Sequence, residues 1–354
     1  MRRPASLVFR SLLLSACLAG CAGVDDAHHG MPPAPLPGSG SGETAALRER
    51  LHGLIVTEAP VGGIAALELP SLRRHLLRPA NAGLGPTMGL SEPDSDGALA
   101  FVSAASGWGK GYGVSVRAGE HEKQLFSGPG DPLWDHAISA LALTRDGARL
   151  AYVVQPPDSD FRFKRLRQGP LRVWDVERAA ARELGVNAAG ERPAWLPDGR
   201  HLVYVAPAAR AHQPCPCEQD ETLVHMIDTV SGADTVLASG HGPIVSSDGA
   251  SVLLMRGTRG DIVQLDLFTR AEHPVMRAHG LRTPIALIDS RYLIYSGAPA
   301  ASAPHGTTAN NSNFVGPKAM LAVKVMDLQT GQYATLIPLI DPRHSVTVRA
   351  SMQP

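Results

Sequence analysis

No stretch of 18 or more apolar residues occurs in this sequence, which excludes a bundle of membrane-spanning helices. Net charge is lacking as well. The 33 Lys and Arg are balanced by 33 Asp and Glu, so a nucleic-acid binder held by phosphate charge is excluded. Aromatic residues make up only 5% of the chain, and there are just four cysteines. No Gly-x-Ser-x-Gly elbow and no His-Glu-x-x-His pair occurs. Gly107-Trp108-Gly109-Lys110-Gly111-Tyr112-Gly113 is glycine-rich, but no Lys-Ser/Thr or helix signal follows, so it matches neither phosphate-binding fingerprint. Turn formers are plentiful instead. The 36 Gly and 29 Pro are about 18% of 354 residues, a usual share for a turn-rich β protein.

The N-terminus carries an address. Arg2, Arg3 and Arg10 form a positive region, and Leu12–Ala19 is an apolar run too short to span a bilayer, so the segment reads as a secretory signal. Leu18-Ala19-Gly20-Cys21 resembles a bacterial lipobox. That resemblance implies cleavage after residue 20, a diacylglycerol on the Cys21 thiol, and loss of Cys17 with the signal. An ordinary signal peptide with a chance cysteine is the alternative. Two acyl chains, at about 0.8 kcal/mol per buried CH₂, would hold the protein on a membrane. Ala22 rather than Asp follows the cysteine, and by its resemblance to Gram-negative sorting signals this implies the outer membrane, on its periplasmic face or at the cell surface. Removing residues 1–20 deletes three Arg and no acid, which shifts the balance mildly negative. Residues 21–45 read as the lipidated cysteine and a tether, because ten of the thirteen residues from Gly30 to Gly42 are Gly, Pro or Ser.

Residues 46–354 read as one domain built on a repeat. Asp96-Gly97, Asp146-Gly147, Asp198-Gly199, Asp248-Gly249 and Asp289-Ser290 each precede a Leu-rich strand, at spacings of 50, 52, 50 and 41 residues. Asp-Gly between apolar runs signals a hairpin, since Gly tolerates the positive φ the turn demands. A second polar turn follows Asp175, Asp228 and Asp327. A period of 40–50 residues with several strands per period predicts an all-β fold, a propeller of four-stranded antiparallel blades. Residues 43–354 divided by six give 52 per blade. The sixth blade is expected from both ends of the chain: Leu51–Thr57, Gly63–Leu69 and Arg73–Leu77, completed by Ser345–Ala350. Such closure removes free sheet edges.

The segment Pro193-Ala194-Trp195-Leu196-Pro197-Asp198-Gly199-Arg200-His201-Leu202-Val203-Tyr204 resembles the WD40-like repeat of TolB-type six-bladed propellers. The resemblance is sharp in one blade, because Arg145 and Ser247 replace Pro197 in two others. TolB proteins also carry an N-terminal α/β domain, for which there is no room between the tether and the first strands.

Candidate chemistry lies in the long connections. His212-Gln213-Pro214-Cys215-Pro216-Cys217 offers two thiols beside an imidazole. A local disulfide, free or partner-linked thiols, and a Cu(I) or Zn²⁺ site are the readings open to Cys215, Cys217 and His212. Arg162, Lys164, Arg165 and Arg167, interleaved with Phe161 and Phe163, form either a grip for an acidic partner or a solvated loop. Trp108 and Tyr112 either line the central opening as a binding surface or pack locally. No catalytic residue and no cofactor is indicated. The expected function is a lipid-anchored, monomeric scaffold that binds an envelope protein or peptide through loops on a rigid ring. The alternatives are a metal-dependent hydrolase or lactonase with its site in the channel, and a small-ligand or carbohydrate sensor. The lining of the channel discriminates between them: converging carboxylates, amides or imidazoles favour an enzyme, and a mixed lining favours a binder.

Overall fold

The computed structural model describes residues 44–59, 63–79, 87–104, 111–129, 138–154, 168–208, 222–257, 261–276, 283–297, 321–340 and 346–353. A short helix, α1 (Ala45–Glu49), leads into β1 (Leu51–Ala59), β2 (Gly63–Leu69) and β3 (Arg73–Arg78). Blade 1 follows as β4 (Thr87–Leu90), β5 (Leu99–Ala104), β6 (Tyr112–Ala118) and β7 (His121–Gly128). Blade 2 is β8 (Ile138–Leu143), β9 (Arg149–Val154), β10 (Gln168–Asp175) and β11 (Ala180–Ala189). Blade 3 is β12 (Ala194–Trp195), β13 (His201–Pro207), β14 (Thr222–Asp228) and β15 (Asp234–Ser239). Blade 4 is β16 (His241–Val245), β17 (Ser251–Arg256), β18 (Asp261–Asp266) and β19 (Glu272–Met276). Blade 5 is β20 (Thr283–Ile288), β21 (Tyr292–Gly297), β22 (Leu321–Asp327) and β23 (Tyr333–Ile340). The last strand, β24 (Val346–Met352), pairs with β1, so blade 6 runs β24-β1-β2-β3. All six sheets are antiparallel meanders, and the first strands of neighbouring blades contact each other around an axis. The fold is a six-bladed β-propeller closed by both ends of the chain, as the repeat predicts.

The repeat is explained by how the second strand of each blade is buried. Residues four and six after the turn Asp, Leu150/Tyr152 and Leu202/Tyr204, pack into the cluster shared with the preceding blade. Val252/Leu254 and Leu293/Tyr295 do the same. The residues between and beyond them, such as Ala151 and Val153 or Val203 and Val205, pack against the following blade. A strand sandwiched this way shows no polar alternation, because both of its faces are dry. Six such clusters fill the six gaps between blades. Each buried Leu in them contributes about 1.5–3 kcal/mol. Between blades 6 and 1 the packing includes Arg78, only 1% exposed, whose guanidinium lies over the Phe101 ring and 3.3 Å from the Glu122 carboxylate.

Four of the inner turns use glycine at positive φ, from +63° at Gly199 to +81° at Gly97. The turn carboxylates accept backbone N–H bonds, as Asp198 does from Arg200 and His201. In blade 1 that role falls to Asp94, which accepts from Asp96 and Ala98, rather than to Asp96. The fifth turn has no glycine. Asp289 and Ser290 both adopt positive φ there, the two-residue geometry that Asx residues tolerate. At Gly199 an added Cβ would meet nothing closer than Thr144 Cγ2 at 3.9 Å, so only backbone strain opposes a side chain. Gly199→Val is therefore expected to cost about 1–3 kcal/mol in denaturant titrations without changing the fold. A loss below a few tenths would contradict the turn geometry.

The outer turns repeat as well. Asp175, Asp228, Asp266 and Asp327 end the third strands, and each carboxylate accepts N–H bonds from two or three residues on. The sequence reading identifies three of these turns and misses the one at Asp266, where Arg270 at φ +63° takes the place of glycine. Arg200 and Arg291, from the inner turns, pair with Asp228 and Asp327. These guanidinium bonds, with help from nearby hydroxyl and N–H groups, hold both carboxyls below the usual range.

In a four-stranded meander the inner and outer turns share one face. Backbone bonds between them, such as Thr229 N–H to the Arg200 carbonyl, confirm it. The remaining connections join strand ends on the opposite face. Thr44 N–H bonds the Tyr333 carbonyl at the start of β23, so the chain joins the ring on the turn face.

Candidate functional site at the channel mouth

Where the inner turns meet the axis they enclose a cavity of about 660 Å³. Ser95, Arg145, Pro197, Ser247 and Asp289, the residues that open the five inner turns, converge on its rim. Blade 6 has no such turn, and Arg349 of β24 fills its place. The lining also includes the half-buried apolar side chains of Leu54, Trp195, Leu196 and Val245. The Trp195 indole is fixed by donating to the Ala142 carbonyl at 2.9 Å.

The rim groups are bonded across the ring. Arg145 of blade 2 donates to the Ser247 carbonyl of blade 4 at 2.6 Å. The Arg145 carbonyl in turn accepts the N–H and hydroxyl of Ser95. Arg349 donates to the Pro93 carbonyl at 3.0 Å. Arg192 lies 3.4 Å from Glu92, and the Ser247 hydroxyl donates to Asp289 at 3.0 Å. Burial, and then the Arg145 charge, push the Arg349 pKa below the ordinary arginine value, while Asp94, Glu92 and Asp96 pull it back. Among the described residues no cluster of three or more His, Cys, Asp and Glu is placed to hold a metal. The lining is mixed.

Of the candidates read from the sequence, Tyr112 falls among the described residues. Tyr112 is buried on β6, packed with Ile138, Leu141 and Tyr152 between blades 1 and 2, and burial raises its phenol pKa. It belongs to the core and does not line the channel, because the side-chain alternation along β6 aims it at the neighbouring blade. Cys21, Trp108, Arg162, Lys164, Arg165, Arg167, His212, Cys215 and Cys217 lie outside the described residues. The strands that flank the connections at 105–110, 155–167 and 209–221 end on the face opposite the turns. His225, near the cysteine pair in sequence, stacks on Tyr204 and pairs with Asp234 at 2.9 Å. The sequence reading misses Arg145, Arg192 and Arg349 as site residues. Arg145 registers there only as a departure from Pro, although in blades 1 to 4 the position before Asp96, Asp146, Asp198 and Asp248 is the one that lines the mouth.

The fold defines the chain as a six-bladed β-propeller. It is similar in structure to TolB from Acinetobacter baumannii, with a TM-score of 0.55 at 11% identity, over 86% of this chain and 66% of that one. The chain thus spans just under two thirds of that TolB. It is also similar to a chain of a nidogen/laminin complex, with a TM-score of 0.52 at 13% identity, over 84% of this chain and 98% of that one. Tricorn protease follows with a TM-score of 0.50 at 10% identity, over 82% of this chain and 30% of that one. At these identities the likeness is one of fold. No protein-family model and no curated protein matches the sequence.

Proposed function

We propose that this protein is a non-catalytic scaffold, anchored by lipid at Cys21 in the bacterial envelope, whose propeller binds a protein or peptide. The observation that carries this reading is the mixed channel mouth. Three of its four acids are engaged with neighbours: Glu92 with Arg192, Asp94 with backbone N–H groups, and Asp289 with Ser247. A hydrolase or lactonase would need such groups to converge on one reacting centre instead. The turn-face rim and the connections at 155–170, 206–221 and 299–317 are the surfaces left for a partner, since the strands are committed to packing between blades. The lipobox supports the anchor, and Ala22 supports sorting to the outer membrane.

The test is cross-linking in envelope preparations from cells fed labelled palmitate. The wild-type protein is expected to incorporate label and to trap an envelope protein or peptide. Cys21→Ser is expected to lose the label completely and to remain as precursor or leave the membrane fraction. Label retained by Cys21→Ser would refute the anchor. A folded, anchored protein that traps nothing would refute the binding reading.

A further inference from the structure

We propose that the channel mouth is a carboxylate site, in which the guanidiniums of Arg145 and Arg349 grip the anionic end of an otherwise apolar ligand. This rests on the reading of the propeller as a binder and names what it binds.

The argument begins with a contrast among the arginines of the turn face. Arg192, Arg200 and Arg291 each pair with a carboxylate. Arg145 and Arg349 do not: among the described residues each donates only to a neutral backbone carbonyl, of Ser247 and Pro93. Both line the same cavity, from blades 2 and 6. The charge of Arg145 acts on Arg349, and so do the opposite charges of Asp94, Glu92 and Asp96 in the same lining. A guanidinium bonded to a carbonyl gains less than one bonded to a carboxylate, whose two oxygens match its planar fork. A ligand carboxylate would therefore exchange weak partners for strong ones.

The surroundings narrow the ligand. Glu92, Asp94, Asp96 and Asp289 lie in the same lining and oppose an anion of high charge such as phosphate. The same lining holds the half-buried apolar side chains of Leu54, Leu196 and Val245, and Trp195 in a fixed orientation. A cavity of about 660 Å³ admits a few peptide residues or a small acid. The class that fits is a monocarboxylate with an apolar body, which describes both the free C-terminus of a peptide ending in aliphatic residues and a branched fatty acid.

The experiment uses the purified full-length protein in non-ionic detergent and the fluorescein-labelled tetrapeptide Gly-Gly-Leu-Leu, as the free acid and as the C-terminal amide. The acid is expected to bind at least tenfold more tightly than the amide, with an affinity that falls as salt rises. Arg145→Gln and Arg349→Gln should each weaken the acid tenfold or more and leave the amide unchanged. Arg178→Gln, on an exposed turn of the same face, should change neither. Arg349 sits in the closing strand, so thermal melts accompany each variant; if Arg349→Gln unfolds, Arg145→Gln and Arg349→Lys decide the matter. Competition by free 4-methylpentanoate at similar concentration would identify a free acid as the ligand, and its failure to compete would identify a peptide terminus. Both results support the site. Equal binding of acid and amide, no binding of either, or unchanged discrimination in Arg145→Gln would overturn it. Because binding is measured on the purified protein, its failure is separate from a failure to trap a partner in the envelope.

Discussion

Deleting residues 343–354 is expected to abolish cooperative unfolding and to leave a protein that aggregates. The deletion removes β24 and with it seven registered pairs to β1, from Leu51↔Met352 to Thr57↔Val346. Val348, 3% exposed, leaves a cluster that it shares with Leu51, Ile55, Ile294 and Val325. Arg50 loses both of its bonds to Gln353, and the Arg349 link to Pro93 of blade 1 disappears. What remains is a bare inner edge on β1 next to a gap beside β20, with which β24 is in contact. Unpaired edges of this kind template association between chains. The combined loss is comparable to the whole stability of a domain, about 5–15 kcal/mol. Calorimetry and size-exclusion chromatography of the truncated protein provide the check. A melting temperature equal to that of the full chain would show that β24 does not close the ring.

Gly53→Ala is expected to be the most damaging glycine exchange among the described residues. Gly53 lies on β1 at φ +142°, opposite Ala350, and an added Cβ would fall 2.1 Å from the Arg349 carbonyl oxygen and 2.7 Å from the Ala350 Cα. The obstructing atoms are backbone, so no side chain can swing aside. The closing strand itself must move. Conformational strain of about 1–3 kcal/mol and overpacking of similar size together give a cost of about 2–6 kcal/mol. Gly199→Ala is the comparison, since it imposes positive-φ strain with no atom within 3.9 Å. Chemical denaturation should place Gly53→Ala well below Gly199→Ala in stability. Equal losses would mean that β1 and β24 do not approach so closely.

Most of the architecture is legible in the sequence because it rests on local chemistry repeated at a fixed interval. Asp-Gly fixes four of the inner turns, and the doubly buried strand after each needs large residues on one face and small or branched ones on the other, as in Arg149-Leu150-Ala151-Tyr152 and His201-Leu202-Val203-Tyr204. The pairing of the two chain ends is legible for a different reason: three N-terminal strands lack a fourth, and one C-terminal strand lacks a sheet. The candidate site is not legible in this way. Its arginines stand at residues 145, 192 and 349, each from a different blade, and no spacing rule joins them. Only the convergence of the inner turns on one axis makes neighbours of them. The turn at Asp266 eludes the pattern because Arg270 takes the left-handed conformation without glycine. Tyr112 shows the limit of composition: an aromatic beside a glycine-rich run suits a mouth or a core equally well, and only the pleat of β6 decides.

The pairing of Leu51 with Met352 also sets an order of events during synthesis. The cost of closing a loop grows only slowly with its length, but the loop cannot close before its second end exists. Blades 1 to 5 are each contiguous in sequence and can form as the chain appears, whereas β1, β2 and β3 must wait for the last dozen residues. The ring is finished only when β24 is in place, so the first strands made are the last to be completed.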